Sequence, residues 1–280
     1  NVYHKTATML YNLQYTLGDS LFLMCMKHYV AKWKFAHPYF EDFTTSMMEA
    51  SGQDLSWFFD QWLETTKHTD YGIRSISKGL IRDQYIVKLR RYGEMQMPLD
   101  FTVTATDGRK YHYHIPNKQF VKKTKATVLP KWYGWDLLYP DYKAKLIIPG
   151  GIKSVQLDTS NRLADIDMMD NYKRPGMKLA PESRTFRLEN FVYNPPNWKK
   201  YQMYWRPDIW WNAVDGLEPG LHFEGSYMNY LRKIDGTIWW NSRALSLTKY
   251  RPFEGQSWYE KTSPIDYNIR YENVLKRVSH

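Results

Sequence analysis

The chain has 280 residues, of which 43% are hydrophobic, so it can build two or three domains with buried cores and is not an intrinsically disordered protein. Its net charge of +10 favours anionic surfaces in general, but the basic residues form only short, scattered runs, so nucleic acid is not expected as a partner. No run approaches the roughly 20 apolar residues of a membrane-spanning helix, and the single cysteine excludes an intrachain disulfide.

Two helices are predicted at the start of the chain. Apolar residues recur at helical spacing over residues 2–17, and Gly18 ends this first helix. Asp19 or Ser20 is placed to cap a second helix with the same periodicity. The two helices should therefore form an antiparallel hairpin, within a helical region that we place at residues 1–68.

The stretch Glu41–Leu63 predicts two more helices, separated at Ser51-Gly52. Asp54 is placed to cap the second of them by accepting a hydrogen bond from a first-turn amide. Its apolar residues fall at i, i+3, i+4, i+7 and i+8 and form one wide aromatic stripe: Leu55, Phe58, Phe59, Trp62 and Leu63. We expect this stripe to need other helices to cover it, including helices that these 280 residues do not supply.

From Tyr71 the apolar period changes from 3.6 to 2, which is typical of strands. Asp107-Gly108 lies between two alternating runs and predicts a tight hairpin, because both turn positions favour positive φ. Further strands are predicted at 126–129, 144–148 and 153–158. Residues 71–170 are therefore predicted to form an antiparallel β-sandwich domain.

Residues 171–198 contain several prolines and no sustained period, which predicts a linker. In residues 199–280 the alternation returns, with apolar and aromatic side chains at odd-numbered positions and mostly polar ones between them. The tripeptide Trp-Trp-Asn occurs twice, at 210–212 and 239–241, and indicates two hairpins of one design. The expected fold class is α+β and multidomain, with an antiparallel helical segment, a β-sandwich and an aromatic-rich antiparallel β region.

The phrase SGQDLSWFFDQWL resembles the end of the catalytic helical domain of M1-type (gluzincin) zinc aminopeptidases, in which a helix bearing FFxQW leads into a β-sandwich. Tyr3-His4-Lys5-Thr6 is similar to the Y-x-K-G segment of that family, with Thr6 in place of glycine. The resemblance covers roughly residues 1–105. It implies that Tyr3 is catalytic and supports the tetrahedral intermediate beside zinc, with Lys5 in a supporting role.

A gluzincin holds its metal with H-E-x-x-H on one helical turn, and this motif is absent from all 280 residues. Zinc is therefore expected for the intact enzyme but with no ligands in this chain, and we expect the zinc-binding half to precede Asn1. His112 and His114 have a spacing that can ligate metal, but paired surface histidines of a strand are the preferred interpretation. The acidic residues Asp158, Asp165, Asp167 and Asp170 lack the spacing of a calcium loop.

The sequence thus predicts the C-terminal portion of an aminopeptidase that hydrolyses N-terminal residues of peptides and is inactive without the zinc-binding half. The expected partners are a peptide substrate and that missing half, with association to a membrane or the cell envelope as a further expectation. The alternative is a non-catalytic envelope or glycan-binding β module whose aromatic platform is formed by Trp210, Trp211, Trp239 and Trp240. A periplasmic or outer-membrane-associated location in the cell envelope fits both hypotheses.

Overall fold

The computed structural model describes residues 2–134, 138–176, 184–190, 193–213, 215–247 and 264–273. They belong to two compact units, Asn1–Pro181 and Glu182–His280. The division falls inside the predicted linker, while the predicted limits of the individual regions stay predictions. The fold is α+β, as expected.

The first unit begins with the four predicted helices, which are α1 (Val2–Leu17), α2 (Asp19–Trp33), α3 (Phe40–Ser51) and α4 (Ser56–Leu63). None of the described helices is both long and apolar enough to cross a membrane. α3 ends where predicted, because Gly52 adopts the left-handed conformation with φ 63°. Leu55 occupies the capping position of α4 and makes no side-chain cap hydrogen bond, but Asp54 before it accepts the first-turn amide of Ser56 at 3.0 Å, which is the hydrogen bond predicted for it.

The predicted cap of α2 is wrong. Gly18 occupies the capping position, and no side chain there accepts a helical amide. Asp19 instead accepts a hydrogen bond from Gln14 at 2.9 Å and contacts Arg162. The side chains of Gln14 and Arg162 occupy this carboxylate, so it does not accept a backbone amide of the first turn of α2.

Two sheets follow in the first unit. The smaller sheet has the order β1-β2-β6, and the larger has the order β5-β4-β3-β7-β8. The strands are β1 (Tyr71–Lys78), β2 (Gln84–Arg91), β3 (Leu99–Ala105), β4 (Lys110–Ile115), β5 (Thr127–Val128), β6 (Asp141–Ile147), β7 (Ile152–Leu157) and β8 (Tyr172–Lys173). The hairpin at Asp107-Gly108 is confirmed, with Phe101 opposite Tyr113 in an antiparallel pair and Gly108 at φ 88°.

The aromatic stripe of α4 is buried within this chain, contrary to the expectation that it needs helices from elsewhere. Leu55, Phe58, Phe59 and Trp62 are all buried, and only Leu63 at the helix end is exposed. Phe59 contacts Phe43 of α3 with ring centroids 6.0 Å apart, and Trp57 contacts Phe120 of the β region at 5.9 Å. α4 therefore packs with α3 through Phe59 and with the β region through Trp57, and the buried stripe residues belong to one core that these parts of the chain share.

Lys122 fixes the C-terminal half of α1 to the larger sheet. Its ammonium group donates to the Tyr15 carbonyl at 2.7 Å and to the Asp100 carboxylate at 2.8 Å. The Asp100 amide donates to the Tyr15 hydroxyl at 2.6 Å, and His114 donates to the Asp100 carboxylate at 2.6 Å. A cation at the last turn also opposes the negative end of the helix dipole, so this cluster orients α1 against the sheet.

The electrostatics of the cluster favour an ionised Asp100. Burial raises its pKa, but the hydrogen bond from His114 and the charge of Lys122 outweigh burial and hold the pKa below its ordinary value. Burial raises the pKa of Tyr15 well above its ordinary value, and the Asp100 charge raises it further, so the phenol stays protonated. The negative charge of Asp100 is thus compensated by the hydrogen bonds that Lys122 and His114 donate to its carboxylate.

The described residues of the second unit form a five-stranded sheet with the order β13-β12-β11-β10-β9. Its strands are β9 (Arg184–Leu188), β10 (Tyr201–Asn212), β11 (Gly216–Tyr227), β12 (Leu231–Trp240) and β13 (Ile265–Glu272). Among these strands, β9 alone pairs in parallel, with β10. Gly236 makes room for a cross-strand ring, because a Cβ there would lie 2.5 Å from Cζ of Phe223.

Replacing Phe58 with alanine should destabilise the first unit by about 3–5 kcal/mol, because the side chain is 0% exposed and its loss leaves a cavity. The measurement is urea unfolding followed by the helical circular dichroism signal, since all described helices belong to this unit. Leu63→Ala is the control on the same helix and should cost less than about 1 kcal/mol, as Leu63 is 39% exposed. Equal losses in the two variants would contradict the burial of the stripe.

Replacing Asp100 with asparagine should cost about 1–3 kcal/mol at neutral pH, because the carboxylate accepts two charge-assisted or buried hydrogen bonds but is 30% exposed. Its pKa is lowered in the folded state, so its stabilisation is present above the unfolded pKa of about 4 and is lost as pH falls through the folded value. The difference between wild type and Asp100→Asn should therefore shrink in acid. Asp60→Asn removes the same charge at an exposed site and should have little effect at any pH; a pH-independent cost of Asp100→Asn would be inconsistent with an ionised carboxylate.

Candidate active-site surface

Tyr3 lies on the first turn of α1, and its side chain is 88% exposed. Residues 3–8 are exposed throughout these first turns. Burial begins at Met9 and continues through Leu13 to the Lys122 cluster. At 1.5 Å per residue, about 15 Å of helix separate Tyr3 from Leu13, so the phenol is held at a fixed distance from the point of attachment.

The chemistry available to Tyr3 is that of a free phenol, which can donate one hydrogen bond and accept others. Within the described residues, its hydroxyl has no hydrogen-bond partner, so it can face another molecule or domain. Lys5 is exposed two residues further on. The catalytic role of Tyr3 stays a prediction.

Asn12 provides a second attachment for α1. Its amide donates to the Thr8 carbonyl at 2.9 Å, and its carbonyl oxygen accepts the Ala164 amide at 3.1 Å. Asn12 is fully buried. The helix is thus held by side-chain contacts to two separate parts of the β region, which the sequence did not reveal because the partners are more than 80 residues away.

The interpretation of His112 and His114 as paired surface histidines is wrong for His114. His112 is exposed and contacts the Thr102 hydroxyl at 3.0 Å, whereas His114 is fully buried. His114 Nε2 accepts the Lys122 amide at 3.2 Å, so its Nδ1 carries the proton donated to Asp100. Both ring nitrogens of His114 are occupied by hydrogen bonds, which leaves neither available to a metal.

The acidic residues of the 158–170 segment organise its backbone. Asp158 accepts the Leu163 amide at 2.7 Å, and Asp165 accepts the Tyr71 amide at 3.1 Å. Asp167 accepts the Met169 amide at 3.2 Å. Burial raises the pKa of Asp165 well above its ordinary value, and the charges of Asp70 and Asp170 raise it further. Asp158 and Asp167 thus form local turns, whereas Asp165 binds the backbone of β1.

One group of carboxylates in the described part of the chain converges closely enough to hold a metal ion. Asp215, Glu218 and Asp266 each bring an oxygen within 4.8 Å of the others. Glu218 is buried, and burial raises its pKa, as do the charges of Asp215 and Asp266. The amides of Asn212 and Asn241 donate to members of this group.

Sequence reasoning missed this acidic group, although the repeated Trp-Trp-Asn was a usable signal. β10 and β12 both pair antiparallel with β11, so they run in the same direction and their C-terminal ends lie at the same end of the sheet. Each repeat therefore places its asparagine at these strand ends, beside the carboxylates. The repeat is explained by this shared position.

The four tryptophans proposed as one aromatic platform are divided between two faces of the sheet. Trp211 and Trp240 share the parity of the apolar face, and Trp210 and Trp239 point to the polar one. The indole of Trp239 donates to Asp208 at 2.9 Å. A single sugar-stacking surface made of all four residues is therefore not formed.

The residues present do not fit the zinc site of a gluzincin. That site requires two histidines four residues apart on a helix, and the sequence contains no such pair with an intervening glutamate. The described acidic group has only carboxylates, a donor set that suits hard cations better than zinc, and it lies in the second unit. No catalytic step in this chain can be assigned to its own metal ligands.

Comparison with known proteins identifies relatives for the N-terminal part. Residues 1–62 match the model of the Peptidase family M1 domain. Aminopeptidase N of Lactococcus lactis subsp. lactis is 30% identical over 91 residues, which represent 32% of this chain and 10% of that protein. The chain therefore spans about a tenth of the curated relative that it matches.

A solved structure also matches. The crystal structure of Legionella pneumophila aminopeptidase A in complex with aspartic acid is 14% identical and aligns with a TM-score of 0.41. The alignment covers 58% of this chain and 17% of that one. By the sequence matches, residues 1–62 of this chain are related to the peptidase family M1 domain, and the chain is related to the aminopeptidases of that family.

Proposed function

We propose that this chain forms the end of the catalytic domain, and the β region that follows it, of an aminopeptidase that removes N-terminal residues from peptides. The observation that carries the proposal is the match of residues 1–62 to the Peptidase family M1 domain. The segment SGQDLSWFFDQWL lies at the end of this range, with Tyr3 near its beginning. In the same proposal, the two sheets of residues 71–170 form a β-sandwich, because both contribute side chains to one buried core.

Zinc belongs to this proposal as the cofactor of the intact enzyme, and its ligands would come from a segment outside these residues. The first two turns of α1 support the idea of a neighbouring segment, since residues 3–8 are exposed. α2 adds exposed apolar side chains, namely Leu23, Met24 and Val30. A covering domain would remove this apolar surface from water, which favours association.

The role proposed for Tyr3 is to stabilise negative charge on the substrate. When water attacks the scissile carbonyl, its oxygen gains negative charge, and a phenol positioned nearby donates a hydrogen bond to it. The bond is stronger in the transition state than in the substrate, so it raises the rate. Attachment of α1 at Lys122 and Asn12 supports this role, because a donor must be held in place before the charge develops.

The 280-residue chain alone, supplied with zinc, should show no aminopeptidase turnover, because it lacks the H-E-x-x-H motif. Release of a chromophore from amino acid anilides measures this directly. The Tyr3→Phe variant, purified in parallel, controls for contaminating peptidases. Turnover present in the wild-type chain and reduced in Tyr3→Phe would overturn the requirement for a second segment.

In a protein that joins this chain to a segment with the zinc motif, Tyr3→Phe should lower kcat by about 10²–10³-fold, because one oxyanion donor is lost. KM should change little, since the hydrogen bond forms mainly in the transition state. Tyr11→Phe removes a hydroxyl that is also exposed on α1 and should leave both constants unchanged. A similar loss in both variants, or a loss confined to KM, would refute the proposed role of Tyr3.

A further inference from the structure

One face of the five-stranded sheet of the second unit carries no charged or amide side chain between Met203 and Trp211 of β10, and Arg184 on β9 lies just beyond this stretch. This face consists of every second residue of β10 from Met203 to Trp211, together with the residues that pair with them across the sheet on the other strands. The members of this apolar face are Phe186, Leu188, Met203, Trp205, Pro207, Ile209, Trp211, Leu217, Pro219, Leu221, Phe223, Gly225, Ile234, Gly236, Ile238, Trp240, Ile265, Tyr267, Ile269 and Tyr271.

The opposite face is polar and internally bonded. Arg206 contacts Glu189 at 2.9 Å and Asp208 at 3.1 Å, and His222 contacts the Thr237 hydroxyl at 2.8 Å. An antiparallel sheet ordinarily packs one face in a core and leaves the other in water. Among the described residues of this unit, nothing covers the apolar face: Ile209 is 69% exposed, Tyr267 70% and Ile269 54%.

The chemistry of the apolar face favours lipid over a second copy of the chain. With strands about 4.8 Å apart and about 3.3 Å per residue, the face extends over roughly 20 Å by 27 Å. Its polar atoms belong only to the indole and phenol groups of Trp205, Trp211, Trp240, Tyr267 and Tyr271, and the Trp211 indole already donates to the Leu245 carbonyl at 3.2 Å. A protein interface surrounds its apolar centre with a polar rim, and this face has no charged or amide side chain between Met203 and Trp211.

The charges at the ends of the strands give the face a direction. The end at which β10 and β12 begin carries Arg184, Lys199, Lys200, Arg232 and Lys233. Glu272 at this end contacts Arg270, and the acidic residues Glu224 and Asp235 face each other further along β11 and β12. The other end carries the acidic group Asp215, Glu218 and Asp266. The basic end is complementary to anionic lipid headgroups.

We propose that the apolar face contacts the acyl chains of a membrane that contains anionic lipids, with the basic end of the sheet at the headgroups. Lipid chains offer no partners to charged groups, and the face has no charged or amide side chain between Met203 and Trp211. Tryptophan and tyrosine are the residues that favour the boundary between hydrocarbon and water, and Trp211, Trp240 and Tyr271 lie near the two ends of the strands. This membrane contact is independent of the peptidase activity proposed for the first unit.

The test is flotation of the complete 280-residue chain with vesicles of phosphatidylcholine, with or without phosphatidylglycerol. The chain should float with the anionic vesicles and bind more weakly to the neutral ones. Ile269→Asp should lower the partition coefficient by about tenfold, because a charge replaces a large aliphatic side chain at the lipid contact. Asn268→Asp introduces the same charge on the same strand but on the polar face, and it should change the partition coefficient by less than about twofold.

Quenching of tryptophan fluorescence by brominated acyl chains tests the orientation without a charged substitution. Quenching should fall when Trp211 and Trp240 are changed to phenylalanine and persist when Trp210 and Trp239 are changed. Absence of flotation with any vesicle, or equal effects of the two members of either pair of variants, would overturn the proposal. So would a dimer in sedimentation that Ile269→Asp dissociates while no vesicle binds, since a second copy would then cover the face.

Discussion

Burial of the α4 aromatic face is the constraint on which the first unit depends. The ring of Phe59 meets those of α3, and Trp57 meets Phe120 of the β region, so one short helix contributes to the packing of both. A helix of eight residues is not stable in water by itself, and most of its stability must come from this tertiary packing. The helices and both sheets of the unit therefore share one core of buried side chains.

Because of this shared core, the surface that the helical segment can offer to another segment is α1 and α2, and not the α4 stripe. A stripe that is already covered does not demand a missing neighbour. The surface still left uncovered is the start of α1 and the outer side of α2, where Tyr3 and Leu23 are exposed. The contacts of Lys122 and Asn12 hold α1 from its other half. The arrangement is that of a fixed helix which presents its first turns outward.

In the sheet of the second unit, the polar face is bonded internally and the apolar face is exposed. Strand pairing satisfies the backbone, and ion pairs such as Arg206–Glu189 satisfy the polar face. Nothing equivalent covers the apolar face in the described part of the unit. Exposure of a patch at the upper limit for soluble monomers marks a surface with an interaction partner. Its register also separates Trp211 from Trp210, so neighbouring tryptophans serve opposite environments.

The sequence by itself determined the elements whose causes are local. The break at Gly52, the carboxylate of Asp54 at the start of α4 and the hairpin at Asp107-Gly108 were all predicted, because a turn or a helix end is set by residues within a few positions. The resemblance of SGQDLSWFFDQWL to M1-type zinc aminopeptidases also lay in the sequence alone, and the match of residues 1–62 to the Peptidase family M1 domain agrees with it.

Tertiary structure alone decided everything that depends on distant partners. The carboxylate of Asp19 is engaged by Arg162, 143 residues away, and therefore does not cap α2. His114 is buried because it binds the Lys122 segment and Asp100, although its position two residues after His112, on the same strand face, indicated a surface pair. The α4 stripe is buried in a core shared with α3 and both sheets, and the convergence of Asp215 with Asp266 required β11 and β13 to begin at the same end of the sheet. Periodicity shows which face of an element is apolar, but which surface covers that face is decided by contacts between residues far apart in the chain.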